Sequence, residues 1–345
     1  MTFPALRYLL FFIVLIGTTH AYGQGELLKV PALEGDGIYN LLRRHGLDPS
    51  YMKPFLELNK DKLGENNSLL AGRSYFLPKK STTSEDTVSS SLIASTLNLK
   101  VLYQPLFGKS YERVALKDQM LKGAVYYLVS GHAGPDPGAV GKYGPYELAE
   151  DEYAYDVTIR LARRLMEHGA TVYMIVQDKN DGIRDETILK MDRDEVNYNG
   201  STISLNQTKR LQQRTDAINR LNATHKGAYQ RMLSIHVDSR SIGQNIDVFF
   251  YHHQNSTAGR ELAQNIHQTF TSNYKRYQPN RNYFGSVSER SSLYVIKYSH
   301  PPTVFIELGN IRNNLDQLRF VIPNNRQALA NWITEGILAD YKTNQ

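Results

Sequence analysis

The sequence predicts an α/β protein: an open, mostly parallel sheet covered by helices on both faces, preceded by a small strand–helix–helix–strand unit. Three observations carry that expectation. Near-continuous apolar runs, such as Ala124, Val125, Tyr126, Tyr127, Leu128 and Val129, read as strands buried on both faces. Apolar stripes at three- and four-residue steps, such as Ala154, Val157, Leu161 and Leu165, alternate with them and read as helices. A Ser- and Thr-rich polar tract ahead of both sets off a first, shorter unit.

The elements follow in order. Residues 1–21 read as a secretory signal peptide. Arg7 precedes a short apolar run from Tyr8 to Ile16, and Thr19 and Ala21 supply small residues for cleavage. The run is too short to span a bilayer, so no stable membrane insertion is expected after cleavage. No cysteine follows it, which excludes lipid attachment to one. The expected location is outside the cytoplasm, in the periplasm or cell envelope. In residues 27–78, Ile38, Leu41 and Leu42 lie at helical spacing, a second helix falls at residues 52–59, and a closing strand runs up to Pro78. Gly35-Asp36 before the first helix, Leu58-Asn59, and the ending Gly72, Tyr75, Leu77, Pro78 resemble a LysM module. Gly37 and Tyr39 stand where that family usually has threonine and tryptophan. The resemblance implies binding of glycans that contain N-acetylglucosamine. Residues 79–96 are too polar to bury a core and read as a flexible linker, with a reach on the order of 20 Å or more.

The remainder, residues 97–345, alternates strands and helices. A hairpin lead-in is expected over residues 108–123, then the strand ending at Val129. A helix runs from about Glu150 to the stop at Gly169, and residues 171–176 form a strand. Helix 211–221, strands 232–236 and 246–251, helix 258–270, strand 304–307 and a closing helix striped by Leu329, Trp332, Ile333 and Ile337 complete it. Residues 179–206 form a connection roughly five times the usual loop length. It reads either as a solvated decoration or as a cover that gates a cleft.

Composition narrows the function. The formal charge of +6 suits an anionic envelope polymer, but Lys and Arg are scattered and no nucleic-acid-binding motif is present. With no cysteine, a disulfide scaffold, a thiol nucleophile and a cysteine-ligated metal are all excluded.

Strand ends deliver the chemistry. Open α/β sheets build sites at the carboxyl ends of their strands. Here His132 follows the strand 124–129, His236 follows 232–235, and Glu307 follows 303–306. Glu150 falls where the next helix begins. Two imidazoles and a carboxylate suit Zn2+ with one position left open. Each residue also has a plainer reading. His132 can pack at a glycine loop, and His236 can be a satisfied core histidine beneath Asp238. Glu147, Glu150, Asp151 and Glu152 are favoured at a helix start by the macrodipole alone. Glu307 is the hardest to explain without a site, because a carboxylate at the end of a buried strand is expensive.

Taken together, Gly131-His132, Gly134, Asp136 and Gly138-Ala139, then Glu150, then Ser234, His236 and Asp238, then Ile306-Glu307, Gly309-Asn310 and Asn313 resemble the zinc-dependent N-acetylmuramoyl-L-alanine amidases. The resemblance covers residues 124–341. It implies zinc ligands at His132, Glu150 and His236, with Glu307 as the catalytic carboxylate. Helical counting back from Leu161 and Leu165 favours Glu150, and Glu147 and Glu152 stay open. Ala133 stands where the family usually has glycine. The implied substrate is peptidoglycan, both its glycan and its stem peptide, and an activator protein is a candidate partner. Arg210, Arg214 and Lys297 can offer donors to substrate oxygens but read more simply as surface or packing residues. A zinc peptidase trimming stem peptides and a non-catalytic peptidoglycan binder are the rival readings. A serine hydrolase is disfavoured because no Gly-x-Ser-x-Gly occurs.

Overall fold

The computed structural model describes residues 27–32, 37–45, 47, 51–64, 68–79, 101–238 and 247–345. The signal peptide, the Gly35-Asp36 pair, nearly all of the linker and the start expected for strand 246–251 lie outside these residues. The chain divides into two compact units, residues 1–81 and 82–345. No helix of the described residues is long and apolar enough to cross a membrane.

In the first unit, strand β1 (Lys29–Pro31) pairs antiparallel with β2 (Ser74–Phe76), and helices α1 (Ile38–Arg44) and α2 (Met52–Asn59) lie between them in sequence. Its core is Val30, Leu41, Leu42, Phe55, Tyr75 and Leu77. Asn59 is fully buried and ties helix to strand. Its amide donates to the Phe55 and Phe76 carbonyls at 2.9 and 2.8 Å, and its Oδ1 accepts from the Phe76 amide at 2.8 Å.

The second unit is the expected helix-covered sheet. It opens on an antiparallel pair, β3 (Val101–Tyr103) with β4 (Arg113–Ala115), so the hairpin starts seven residues earlier than 108 and ends before 123. Strand β5 (Ala124–Ser130) is buried along its whole length. A second hairpin, β6 (Val140–Tyr143) with β7 (Tyr146–Ala149), leads into α3 (Glu150–Glu167). Its turn is the Gly144-Pro145 dipeptide, with Gly144 at φ +59°. The run 171–176 splits. β8 (Thr171–Met174) pairs with β5, whereas β9 (Val176–Gln177) leaves the sheet to pair with β10 (Val196–Asn197).

Helix α4 (Gln207–Thr224), β11 (Tyr229–Asp238), β12 (Phe249–His252), α5 (Thr257–Tyr277), β13 (Ser286–Glu289), α6 (Tyr294–Tyr298), β14 (Thr303–Asn310), α7 (Asn314–Val321) and α8 (Pro323–Thr343) complete the chain. The six-stranded sheet runs β13-β12-β14-β11-β5-β8, parallel throughout except where β12 meets β14. Side chains alternate across it. Tyr126, Leu128, Leu233, Ile235, Val304 and Ile306 pack with α3, α5 and α8. Val125, Tyr127, Val129, Met232 and Phe305 pack with Ala217 and Ile218 of α4 and Val295 and Ile296 of α6.

Residues 179–206 are half exposed and anchored to the domain at several points. Ile183, Leu189 and Ile203 are buried, and Arg326 of α8 donates to the Arg184 and Glu186 carbonyls at 2.9 and 2.8 Å. None of the segment's residues lines the large cavity at the carboxyl edge of the sheet.

Candidate metal centre

Parallel pairing sets the site. β5, β11 and β14 are adjacent and point the same way, so the residues at their carboxyl ends gather at one sheet edge. His132 lies two residues past Ser130, and Ser130 is in register with Ile235, one residue before His236. His236 is in turn in register with Glu307. Glu150 arrives from outside the sheet as the first residue of α3, delivered by the β6–β7 hairpin. The amides of Glu150 and Asp151 bond to the Ala139 and Pro137 carbonyls at 2.9 and 3.2 Å, which fixes the helix start against the His132 loop.

His132, Glu150 and His236 each present one donor atom, and the three atoms lie within 4.8 Å of one another. His132 Nε2 is 3.3 Å from Glu150 Oε2, and His236 Nδ1 is 3.1 Å from Glu150 Oε1. The Ala139 and Val237 amides each donate to this carboxylate at 3.0 Å. Two glycines make room. A Cβ on Gly131 would fall 2.4 Å from His236 Nδ1, and one on Gly138 would fall 2.7 Å from the His132 ring and 2.8 Å from Glu150 Oε2. The His236 ring stacks on Phe305, centroids 4.2 Å apart.

Charge within the cluster is strongly coupled. Burial alone would raise the Glu150 carboxyl, but hydrogen bonds from both histidines hold it well below the usual carboxylate range. Burial would lower His132, yet Asp136 and Glu150 outweigh it and push the imidazole up to about 10. His236 is pulled down, chiefly by burial. A metal entering here would displace protons from the imidazoles, as deprotonated ligands require. The donors fit zinc: two imidazole nitrogens and a carboxylate, with no sulfur.

Three further residues shape His132; in the sequence Asp136 is a motif residue with no stated role, and Arg210 and Arg214 are considered only as donors to substrate. Asp136 Oδ2 lies 2.9 Å from His132 Nδ1, leaving Nε2 for the cluster. Arg210 pairs with the same Asp136 oxygen. Arg214 is buried and donates to the His132 carbonyl, while its Nε has no acceptor among the described residues. Burial, with Arg210 adding to it, lowers Arg214 to about 10. The signals in the sequence were Asp136 within the His132 motif and arginine at positions 210 and 214, one helical turn apart on α4. Lys297, the third cation considered, is exposed and lines no part of this site.

The cluster opens on a cavity of about 660 Å³, also lined by Asp136, Arg210, Arg214, Leu293, Tyr294, Glu307 and Arg312. Glu307 is 7% exposed and faces this space. The arrangement therefore brings together all four residues singled out in the sequence. Of the other acids near the helix start, Glu147 sits in exposed positions of β7, and Glu152 turns to Arg184 at 2.8 Å.

A search of the curated proteins finds no match. Among solved structures, an N-acetylmuramoyl-L-alanine amidase of Nostoc punctiforme is 20% identical, with a TM-score of 0.45, over 64% of this chain and 97% of that one. An amidase from Clostridioides difficile, solved in complex with a lipoprotein, is 21% identical with a TM-score of 0.48, over 64% and 99%. One from Mycobacterium smegmatis is 15% identical with a TM-score of 0.46, over 65% and 99%. The family model described as N-acetylmuramoyl-L-alanine amidase matches residues 127–339, more than half of the chain and the whole span from β5 into α8 that carries the four residues. The chain belongs to the N-acetylmuramoyl-L-alanine amidase family.

Proposed function

We propose that this protein is a zinc-dependent peptidoglycan hydrolase that cuts the amide bond between N-acetylmuramic acid and the L-alanine of the stem peptide. The observation that carries this reading is the convergence of His132, Glu150 and His236 at one strand edge, with Glu307 in register beside His236. His132 Nε2, His236 Nδ1 and a Glu150 oxygen would hold the ion. Zinc, when bound there, supplies a Lewis acid that polarises the scissile carbonyl and lowers the pKa of a coordinated water toward about 7.

The rest falls to the chain itself. The Glu307 carboxylate accepts a proton from water as the new C–O bond forms, then returns it to the alanine nitrogen as the C–N bond breaks. Asp136 and Arg210 fix the His132 ring, and Arg214 fixes its backbone. Phe305 and Leu293 wall the apolar side of the cavity. The first unit serves as a LysM-like glycan-binding module, supported by its strand–helix–helix–strand order. Residues 1–21 serve as an export signal, and residues 79–96 as the tether. An activator protein is a candidate partner.

Digestion of purified sacculi tests the reading. New L-alanine amino termini are expected, lost with chelator and restored by zinc. New diaminopimelate or D-alanine termini would assign a peptidase. Sacculus binding with no new termini, zinc present, would assign a binder.

A further inference from the structure

Beside the metal centre lies a second group of buried ligand-type side chains. Asp151 and Glu152 follow Glu150 on α3, and Glu195 reaches them from the segment 179–206. Each offers an oxygen within 4.8 Å of the others, and the three are 0%, 2% and 4% exposed. Only Glu152 has a cationic partner in an ion pair among the described residues, Arg184 at 2.8 Å. Glu195 is aimed by the Gly134 amide, which donates to its Oε2 at 2.7 Å. Asp151 Oδ1 accepts from the Glu152 amide at 2.9 Å. Its Oδ2, sealed from solvent, has no hydrogen-bond partner among the described residues. A carboxyl oxygen walled off from water and without a partner is costly unless a proton or a cation sits against it.

We propose that Asp151, Glu152 and Glu195 form a second cation site that takes a hard divalent ion of the calcium type. Arg184 is shared between Glu152 and Asp181, so it does not neutralise three ionised carboxylates, and a divalent ion that displaces their protons would. The donor set is all oxygen, which suits calcium and not zinc. Two oxygens on one calcium stand at most about 5 Å apart, twice the 2.3–2.6 Å bond, so the observed spread fits. The ion would join the segment 179–206 to the first turn of α3, and so brace the helix start that presents Glu150. Gly134, which aims Glu195, belongs to the His132 loop, so the brace reaches both sides of the metal centre.

Tyrosine-sensitised terbium luminescence on the full chain tests this, because Tyr153 and Tyr155 lie on the same helical turns. The expected result is a saturable terbium signal displaced by calcium, with a calcium-dependent rise of several degrees in Tm. Both should persist in His236→Ala, which disables the metal centre, and both should vanish in Glu195→Gln and Asp151→Asn. Should Asp151→Asn not fold, Glu195→Gln reads the same site from the other segment. A wild-type protein with no calcium-displaceable signal and no change of Tm in millimolar calcium overturns the proposal. So does a signal lost in His236→Ala and kept in Glu195→Gln, which would place the ion at the metal centre. Neither result bears on whether the enzyme releases L-alanine termini, so the two readings fail separately.

Discussion

Glu150 and its two successors on the helix are consecutive acids with opposite fates. All three are buried, at 5%, 0% and 2% exposure, so loss of solvent does not separate them. Rotation does. Successive helical side chains point about 100° apart at 3.6 residues per turn. Glu150 meets two imidazoles and two amides and is held ionised. Asp151 and Glu152 point toward Glu195 and each other. Burial first, then neighbouring carboxylates, raises Asp151 to about 8, and burial raises Glu152 even with Arg184 beside it. Partners, not depth, decide what a buried carboxylate can do.

The strongest attack on this contrast is at the chemistry itself. Glu307→Gln should keep zinc at one per chain by elemental analysis, yet lower sacculus hydrolysis by about 10²–10⁴-fold, the usual weight of a positioned proton acceptor. Retained turnover would remove Glu307 from the role assigned to it. Next in size, Glu150→Gln should lose zinc by competition with a chromogenic chelator, whereas Glu152→Gln should hold it. The reverse outcome would move the ligand to the other face of the helix. Asp136→Asn should fall between them, weakening zinc by about 10–100-fold, as loss of an orienting hydrogen bond does.

Periodicity made much of this legible. The stripe at Ala154, Val157, Leu161 and Leu165 placed the helix start well enough to favour Glu150, and the apolar runs placed both histidines and Glu307 at strand ends. Asp136, Arg210 and Arg214 left no such trace. They act through hydrogen bonds to a ring, a carboxylate or a carbonyl, and such contacts arise from folding and not from spacing. The β6–β7 hairpin escaped because each strand is only four residues long. The segment 179–206 looked solvated because its charges were read as facing water. In the fold several face one another: Arg184 takes Glu152 and Asp181, and Asp194 accepts from Asn180 at 2.6 Å.

The pH dependence of stability sharpens the same comparison. Burial, then the carboxylates of Glu152 and Asp178 against the pull of the Gly134 amide, raises Glu195 to about 7 from an ordinary 4.5. Between those values the folded chain binds more protons at this site than the unfolded chain, so stability falls as pH rises through about 4.5 to 7. The displacement corresponds to on the order of 3 kcal/mol. In calcium-free buffer, Tm measured across that window should decline more steeply for the wild type than for Glu195→Gln. Parallel curves would show that Glu195 is not held in this way.

The smallest expected effect concerns the loop between the two clusters. Ala133 has φ +85°, a conformation that costs a non-glycine residue about 1–2 kcal/mol, and His132 beside it has φ +59°. Glycine at 133 would relieve that cost. It would also enlarge the unfolded ensemble, worth about 0.5–1 kcal/mol against folding. The Ala133 methyl is buried with Val176 and Ile203, and its loss costs about 0.8 kcal/mol more. The three contributions nearly cancel, so Ala133→Gly should leave stability within about 1 kcal/mol of the wild type. For a domain this size that is a Tm change of no more than about 4 °C. This balance accounts for alanine at a position whose backbone suits glycine. A drop well beyond that range would mean that the packing of one methyl outweighs the strain of the backbone that carries it.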